Sequence, residues 1–422
     1  MKFFKKAIAS NDIFRVLQIR PFTYLMLAEF FSQLAFNMQH FVLIFIIYAL
    51  THSNTAVSGI ILSFTVPAVF FSLISGVYVD RWRKRNVLFY ANVFRGALLL
   101  LFLIPNLHIG FIYFLTFLIA IATQFFLPAE AAIIPTLVGK KLILSANAIF
   151  SLGIYGTIVT GYILAGPTLL ILGKTFTVIL LALLFFISTF FIMAIKLPDK
   201  KKFDKPQLVD STIGLSFVEE IKEIFHFIRR VKKVMHALVV LTIAEAVMFM
   251  FAVLGPGYVA TVLNVEIESL SLIVIAPAAL GMGFGAVLLG SIGKKFKSKT
   301  LGVIGFLTSG LIFIMFPVGK RLNSFLPNIF EITILHIVVV LAFIVGFAIS
   351  LVFIPSNATI QIETNEEMRG RIYGFLNALV GAVSFIPVVI AGGLADLFGV
   401  GTVITAVGFL MIIISGMIFA FD

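Results

Sequence analysis

The chain has 422 residues, 61% of them hydrophobic and only 12% charged, with a formal net charge of +12 and no cysteine. Soluble domains carry about 25% charged residues, so this composition excludes a soluble globular chain, and the sequence is better counted in spans of about 20 apolar residues. Outside the apolar runs there is no basic face with interleaved aromatics, which argues against nucleic acid as a partner. The lack of cysteine removes disulfides and thiolate metal sites and leaves the redox compartment unread.

The segment 1–21 is basic but has no continuous apolar run with a small-residue cleavage site, so it reads as a cytoplasmic amphipathic lead-in. Apolar windows then predict twelve spans, at 22–50, 56–79, 87–105, 109–133, 145–172, 175–196, 235–262, 269–292, 300–318, 332–356, 371–396 and 400–420. Runs this long without period-two alternation are helices, because lipid tolerates only helices or closed barrels. The expected fold class is therefore all-α integral membrane. Pro128, Pro167 and Pro256 are expected to interrupt their helices. The polar segment 197–233 divides the spans six and six, giving halves at 22–196 and 234–422. Its second part places Ile213, Phe217, Ile221, Ile224, Phe225 and Ile228 at helical spacing, which predicts a linker followed by an amphipathic helix on the inner leaflet. A fully disordered linker is the alternative.

Of the 31 Lys and Arg, 27 fall on the termini and turns of one side, three (Lys174, Lys320, Arg321) on the other, and Arg95 lies within a span. The positive-inside rule then puts both termini in the cytoplasm of a multi-pass inner-membrane protein.

Polar residues inside spans are costly and usually face the bundle interior. In span 1, Glu29, Ser32, Gln33, Asn37, Gln39 and His40 fall within an arc of about 160° at 100° per residue. One reading makes this arc a cavity wall, with Glu29 and His40 as proton or cation sites and Ser32, Gln33 and Asn37 as lining. The other makes it interhelical glue. Glu245 in span 7 is the second coupling candidate, with Thr242, Met248 and, from span 11, Asn377 as further lining residues. The Met-Phe run 248–251 suits an apolar or amphipathic ligand, though it equally suits a lipid-facing surface. Arg95 is expected to form a buried ion pair with Glu29 or Glu130, and His336 is a second polar histidine. The glycines of GMGFG (281–285) follow no strand and read as close helix contacts rather than a nucleotide loop. No Walker lysine motif is present, so ATP is not expected to drive the protein. No cofactor and no metal are expected.

The two halves repeat weakly. Gly76-xxx-Asp80-Arg81-Trp82-Arg83-Lys84-Arg85 aligns with Gly290-xxx-Lys294-Lys295-Phe296-Lys297-Ser298-Lys299 at an offset of 214, and near that offset Leu27-Ala28-Glu29 corresponds to Ile243-Ala244-Glu245. Such repeats imply two six-helix halves with a site at mid-depth. On these residues the chain resembles a major facilitator superfamily transporter. Gly76, Asp80, Arg81, Lys84, Arg85 and Leu88 are similar to the family's signature loop, although Arg83 stands where a glycine is usual. FFSQLAFNMQ (30–39), LTHSNTAVSGI (50–60), FLPAEAAIIPTLV (126–138), RGRIYGF (369–375) and AGGLADLFG (391–399) resemble the macrolide-efflux and enterobactin-exporter branch. The efflux pattern of span 5 departs: Gly161-Tyr162 occupies the family's glycine-proline pair, and Gly166-Pro167 follows five residues later. This bears on antiport rather than on the fold.

The resemblance implies a latch between the turn after span 2, with Gly76, Asp80, Arg81, Lys84 and Arg85, and spans 11 and 4, near Gly370 and Glu130. A carboxylate at Asp80 also makes electrostatic sense against neighbouring Arg or a helix N-terminus, since an acid does little for orientation. The functional expectation is a monomeric secondary transporter that exports a hydrophobic or amphipathic small molecule against protons, amid membrane lipids. An uncoupled facilitator or a lipid or lysolipid flippase is the alternative within this class. A membrane-embedded lipid-modifying enzyme would need clustered acids or a metal-ligand helix, and the sequence offers scattered single acids.

Overall fold

The computed structural model describes residues 12–139, 142–196, 213–292, 296–317 and 331–420; the side chains of Asp80 and of residues 213–221, and Gly76 beyond its backbone, lie outside that description. The described residues are helical, with no strand: α1 (Asp12–Leu17), α2 (Arg20–Thr51), α3 (Asn54–Arg81), α4 (Lys84–Leu100), α5 (Ile109–Val138), α6 (Ile143–Ala194), α7 (Ile213–Arg230), α8 (Lys232–Tyr258), α9 (Ala276–Ile292), α10 (Ser298–Met315), α11 (Glu331–Glu363), α12 (Glu366–Phe398) and α13 (Val400–Ala420). Among the described residues, eleven helical stretches are long and apolar enough to cross a membrane. One of them, α6, has 52 residues. At 1.5 Å per residue it would run to about 78 Å, against a hydrocarbon core of about 30 Å. It bends at Gly173, where φ is 71° and ψ 173°, and so supplies two spans. Counted so, the described residues hold twelve, in the order the hydropathy predicts.

The break in α6 falls at Gly173, six residues after the expected Pro167. Glycine reaches positive φ without a Cβ clash, whereas a proline inside a membrane helix leaves only one N–H missing and its neighbours restore the rest. Pro128 likewise sits inside an unbroken α5. Pro256 lies near the end of α8, which winds into a wide turn at Val259–Leu263 and stops at Asn264, left-handed with φ 55°.

The chain divides into two compact units, Met1–Leu43 with Ser63–Val209, and Ile44–Leu62 with Asp210–Asp422. The end of α2 and the start of α3 therefore pack with the second unit, a division that the six-and-six count does not anticipate. In the first unit, Phe22, Leu25 and Ala28 of α2 pack against Leu88 and Ala91 of α4, Phe126 and Ala129 of α5, and Ile192 near the end of α6. In the second, α9 and α11 approach so closely that a Cβ on Gly281 would overlap the Phe343 carbonyl and one on Gly285 the Ser350 hydroxyl. Small residues let backbones meet where lipid supplies no hydrophobic drive between helices, and the GMGFG stretch serves that contact.

Helix α7 covers the second part of the segment expected to be amphipathic. Ile224 and Ile228 are buried against Val234 and Leu238 of α8 and Ile372 and Leu376 of α12. Phe225 meets Phe375 edge-on at 5.4 Å, and Arg371 pairs with Glu223 at 2.9 Å. A second exposed pair, Lys233 with Glu363 at 2.7 Å, joins α8 to the end of α11.

Candidate functional site

The polar arc of α2 meets α4, α5 and α6 inside the first unit. Its helical spacing puts Glu29, Ser32 and Gln33 on one face, and all three are buried, Glu29 to 1% exposure. Asn92 and Arg95, three residues apart and so on one face of α4, turn toward them. Arg95 Nη2 donates to Ser32 Oγ at 3.1 Å and also to Asn92 Oδ1. Ser32 Oγ donates to Asn92 Oδ1 at 3.1 Å, Asn92 Nδ2 donates to Ser188 Oγ at 2.7 Å, and Ser188 Oγ donates to the Ala28 carbonyl at 2.6 Å. The guanidinium lies over the rings of Phe126 and Phe185, 4.3 and 4.7 Å from their centroids. Cation–π contacts in desolvated sites contribute about 2 kcal/mol each, which helps explain how a cation 1% exposed is accommodated in a membrane helix.

Two carboxyls complete the cluster. Glu130 of α5 is 2% exposed, and Glu29, Glu130 and Arg95 lie near enough for their charges to act on one another. Among the described residues no salt bridge within 4 Å links Arg95 to either acid, and Arg95 Nε, both Glu29 oxygens and Glu130 Oε1 lack a conventional hydrogen-bond partner. The arrangement is a fixed cation, two buried acids and a ring of neutral dipoles.

The structure thus brings Glu29, Ser32, Gln33, Arg95 and Glu130 together. Glu130 is buried and feels the charges of Glu29 and Arg95. Arg85 instead donates from Nε to the Ile192 carbonyl at 3.1 Å and from Nη2 to the Met193 carbonyl, capping the last turn of α6. Arg81 is exposed and Lys84 half-buried. Asp80 is the penultimate residue of α3, and its side chain lies outside the described residues. Asn37 is buried and donates from Nδ2 to the Gln33 carbonyl at 2.8 Å. Its Cβ abuts Gly161 of α6, where a side chain would collide with it. His40 sits edge-on between Phe36 and Phe64, with centroids 4.3 and 3.9 Å away.

In the second unit, Glu245 is half-buried, and no described residue pairs with it. Thr242 is buried and turns its hydroxyl back to the Leu238 carbonyl at 2.8 Å. Met248 and Asn377 are exposed, while Phe251 stacks on Phe313 at 3.8 Å. The Met-Phe run is therefore split between core and surface. A polar group absent from the sequence reading joins α11 to α12: Tyr373 donates to Asn357 Oδ1 at 3.0 Å. Of the residues missed in the first unit, Asn92 was signalled by its one-turn spacing from Arg95. Ser188 carried no signal, being one hydroxyl in an apolar run.

The comparisons agree with this architecture. The profile of the Major Facilitator Superfamily matches residues 25–388. A Bacillus subtilis (strain 168) protein described as "Uncharacterized MFS-type transporter YvqJ" is 26% identical over 361 residues, covering 83% of this chain and 80% of that one. The crystal structure of the nucleoside transporter NupG matches with a TM-score of 0.72 at 13% identity, over 95% of this chain and all of that one. A peptide transporter POT in complex with sulfate matches at 0.66 and 14% identity, over 94% of each chain. At such identities the structural matches speak for the fold, and the profile, which spans most of the sequence, speaks for descent. The chain is a multi-pass membrane transporter that belongs to the Major Facilitator Superfamily.

Proposed function

We propose that this transporter exports hydrophobic or amphipathic small molecules in exchange for protons, by alternating access, with Glu29 and Glu130 as the coupling site. The observation that carries the reading is the burial of Glu29, Glu130 and Arg95 in one unit, with both Glu29 oxygens and Glu130 Oε1 lacking a hydrogen-bond partner. Adding one proton to this pair changes its charge against a cation that Ser32, Asn92 and two rings hold in place. Intramembrane acids of this kind are the usual elements of proton relays. Export and the apolar substrate class draw on the resemblance to the efflux branch. The cytoplasmic placement of both termini draws on the 27 basic residues of one side. Asp80, Arg81 and Lys84 remain the proposed latch at that side, and Glu245 and His40 are secondary coupling candidates.

The second reading is an uncoupled facilitator or a lipid or lysolipid flippase. It draws on the hydrogen bonds that lock Arg95 to Ser32 and Asn92, since a brace of this kind needs no proton.

Purified protein in proteoliposomes with an imposed pH gradient separates the two. Internal pH is recorded while amphipathic drugs, siderophores and lysolipids are added, with Glu29→Gln, Glu130→Gln and Glu245→Gln run beside wild type. Proton flux evoked by a compound and lost in the first two variants supports the coupled exporter. Compound movement without proton movement gives the facilitator or flippase instead.

A further inference from the structure

The first N–H groups of any helix have no partner inside it. Helix α3 meets this need in two ways. Ser53 Oγ accepts from the Ala56 N–H at 3.2 Å, a local cap. The Asn54 and Thr55 N–H groups instead donate to the carboxylate of Asp396, on α12 some 340 residues away, at 2.7 and 3.0 Å. The same carboxylate accepts from Ser53 Oγ at 2.7 Å, Asn54 Nδ2 at 2.9 Å and Thr55 Oγ1 at 2.7 Å. Its two oxygens therefore accept five hydrogen bonds, at a helix end whose dipole also favours an anion.

The contact extends along one face of α12, at positions 388, 392 and 396. Ser58 Oγ donates to the Val388 carbonyl at 2.9 Å. Gly392 lies so near the Asn54 carbonyl and the Ser58 hydroxyl that no Cβ fits there. Helix α8 approaches the same turn, where a Cβ on Gly257 would collide with the Asn54 side chain. This seam lies at the end of α3 opposite Asp80 and the basic turn. Asp396 also borders an open cleft with Tyr48, His52 and Thr405.

We infer that Asp396 is a release latch, the positioning residue that holds the end of α12 on the start of α3 and whose hydrogen bonds must be given up in each cycle for this end of the protein to open. It has a formal counterpart in Asp80: each acid is set within the last turn of its helix, one on α3 and one on α12. The inference takes its meaning from the alternating-access reading, but its test requires neither a transported compound nor a proton.

Because the chain has no cysteine, one introduced thiol reports opening without background. Val57→Cys, at a residue with no exposed surface one turn beyond the latch, is made in otherwise native full-length protein in lipid nanodiscs and labelled with a polar maleimide. Ala182→Cys, at a buried position in α6, serves as the reference thiol. Asp396→Asn and Asp396→Ala should speed labelling at position 57 by about tenfold or more while leaving position 182 unchanged, with Asp396→Glu restoring slow labelling. If neither Asp396 variant is recovered folded, the pair Ser53→Ala and Thr55→Val removes two donors and should raise labelling in the same direction. Unchanged labelling at 57, or an equal rise at both positions, overturns the latch. Absence of compound-evoked proton flux in wild type, with the labelling response intact, would instead count against the exporter reading alone.

Discussion

Glu29 and Glu245 occupy corresponding places in the two halves of the sequence, yet they live in different chemistry. Glu29 is 1% exposed, faces a second acid and shares the field of a fixed guanidinium. Glu245 is half-buried and alone among the described residues. The difference arises on other helices. At the repeat offset of 214, the positions equivalent to Arg95 and Glu130 are Ser309 and Ile344. A repeated backbone therefore does not imply a repeated site, and a buried charge is defined by what the neighbouring helices bring to it.

That contrast can be tested from its strongest element downward. Arg95→Ala should cost about 3–5 kcal/mol, because it removes the buried hydrogen bonds to Ser32 and Asn92 and the contacts with two rings, read as a lowered unfolding temperature in detergent. Arg95→Lys should not restore it, since an ammonium cannot reproduce the forked contacts to Ser32 and Asn92 or lie flat against two rings. Next, a double-mutant cycle of Glu29→Gln with Glu130→Gln should show a coupling of about 0.5–3 kcal/mol, whereas Glu29→Gln with Glu245→Gln should be additive within about 0.5 kcal/mol. Additivity in the first cycle would dissolve the acid pair as a unit. Asn92→Ala, which removes the acceptor of the Ser32 hydroxyl and of one Arg95 N–H, should cost about 1–3 kcal/mol. Glu245→Gln should lie within about 0.5 kcal/mol of wild type. A large loss there would show that the second half holds a partner for its acid after all.

The acid pair and the Asp396 seam were legible in the sequence to different degrees. Glu29 announced itself, because a carboxylate amid apolar residues has few places to go, and the polar arc of α2 fixed which way it turns. Glu130 was read as part of a latch on the strength of a resemblance and proximity in sequence to a helix end. The buried charges that act on it, Glu29 and Arg95, lie 101 and 35 residues away, and no local pattern encodes that distance. Asp396 stood in plain view within AGGLADLFG, but an acid near the end of a span looks the same whether it meets water or the start of another helix. The bend at Gly173 and the continuity through Pro167 were misjudged for a related reason: proline's local cost is visible in sequence, while the neighbours that relieve it are not.

Composition, hydropathy and charge by themselves determined that this is a twelve-span helical membrane protein and where most spans begin and end. These features follow from local rules, since lipid demands satisfied backbone and a length of about 20 apolar residues. Tertiary structure alone decided which acids share a site, which helix end the Asp396 carboxylate caps, and that the tip of α2 and the start of α3 pack with the second unit. Those outcomes depend on side chains from several helices converging within hydrogen-bonding distance, a property of the packed whole that no single stretch of sequence contains.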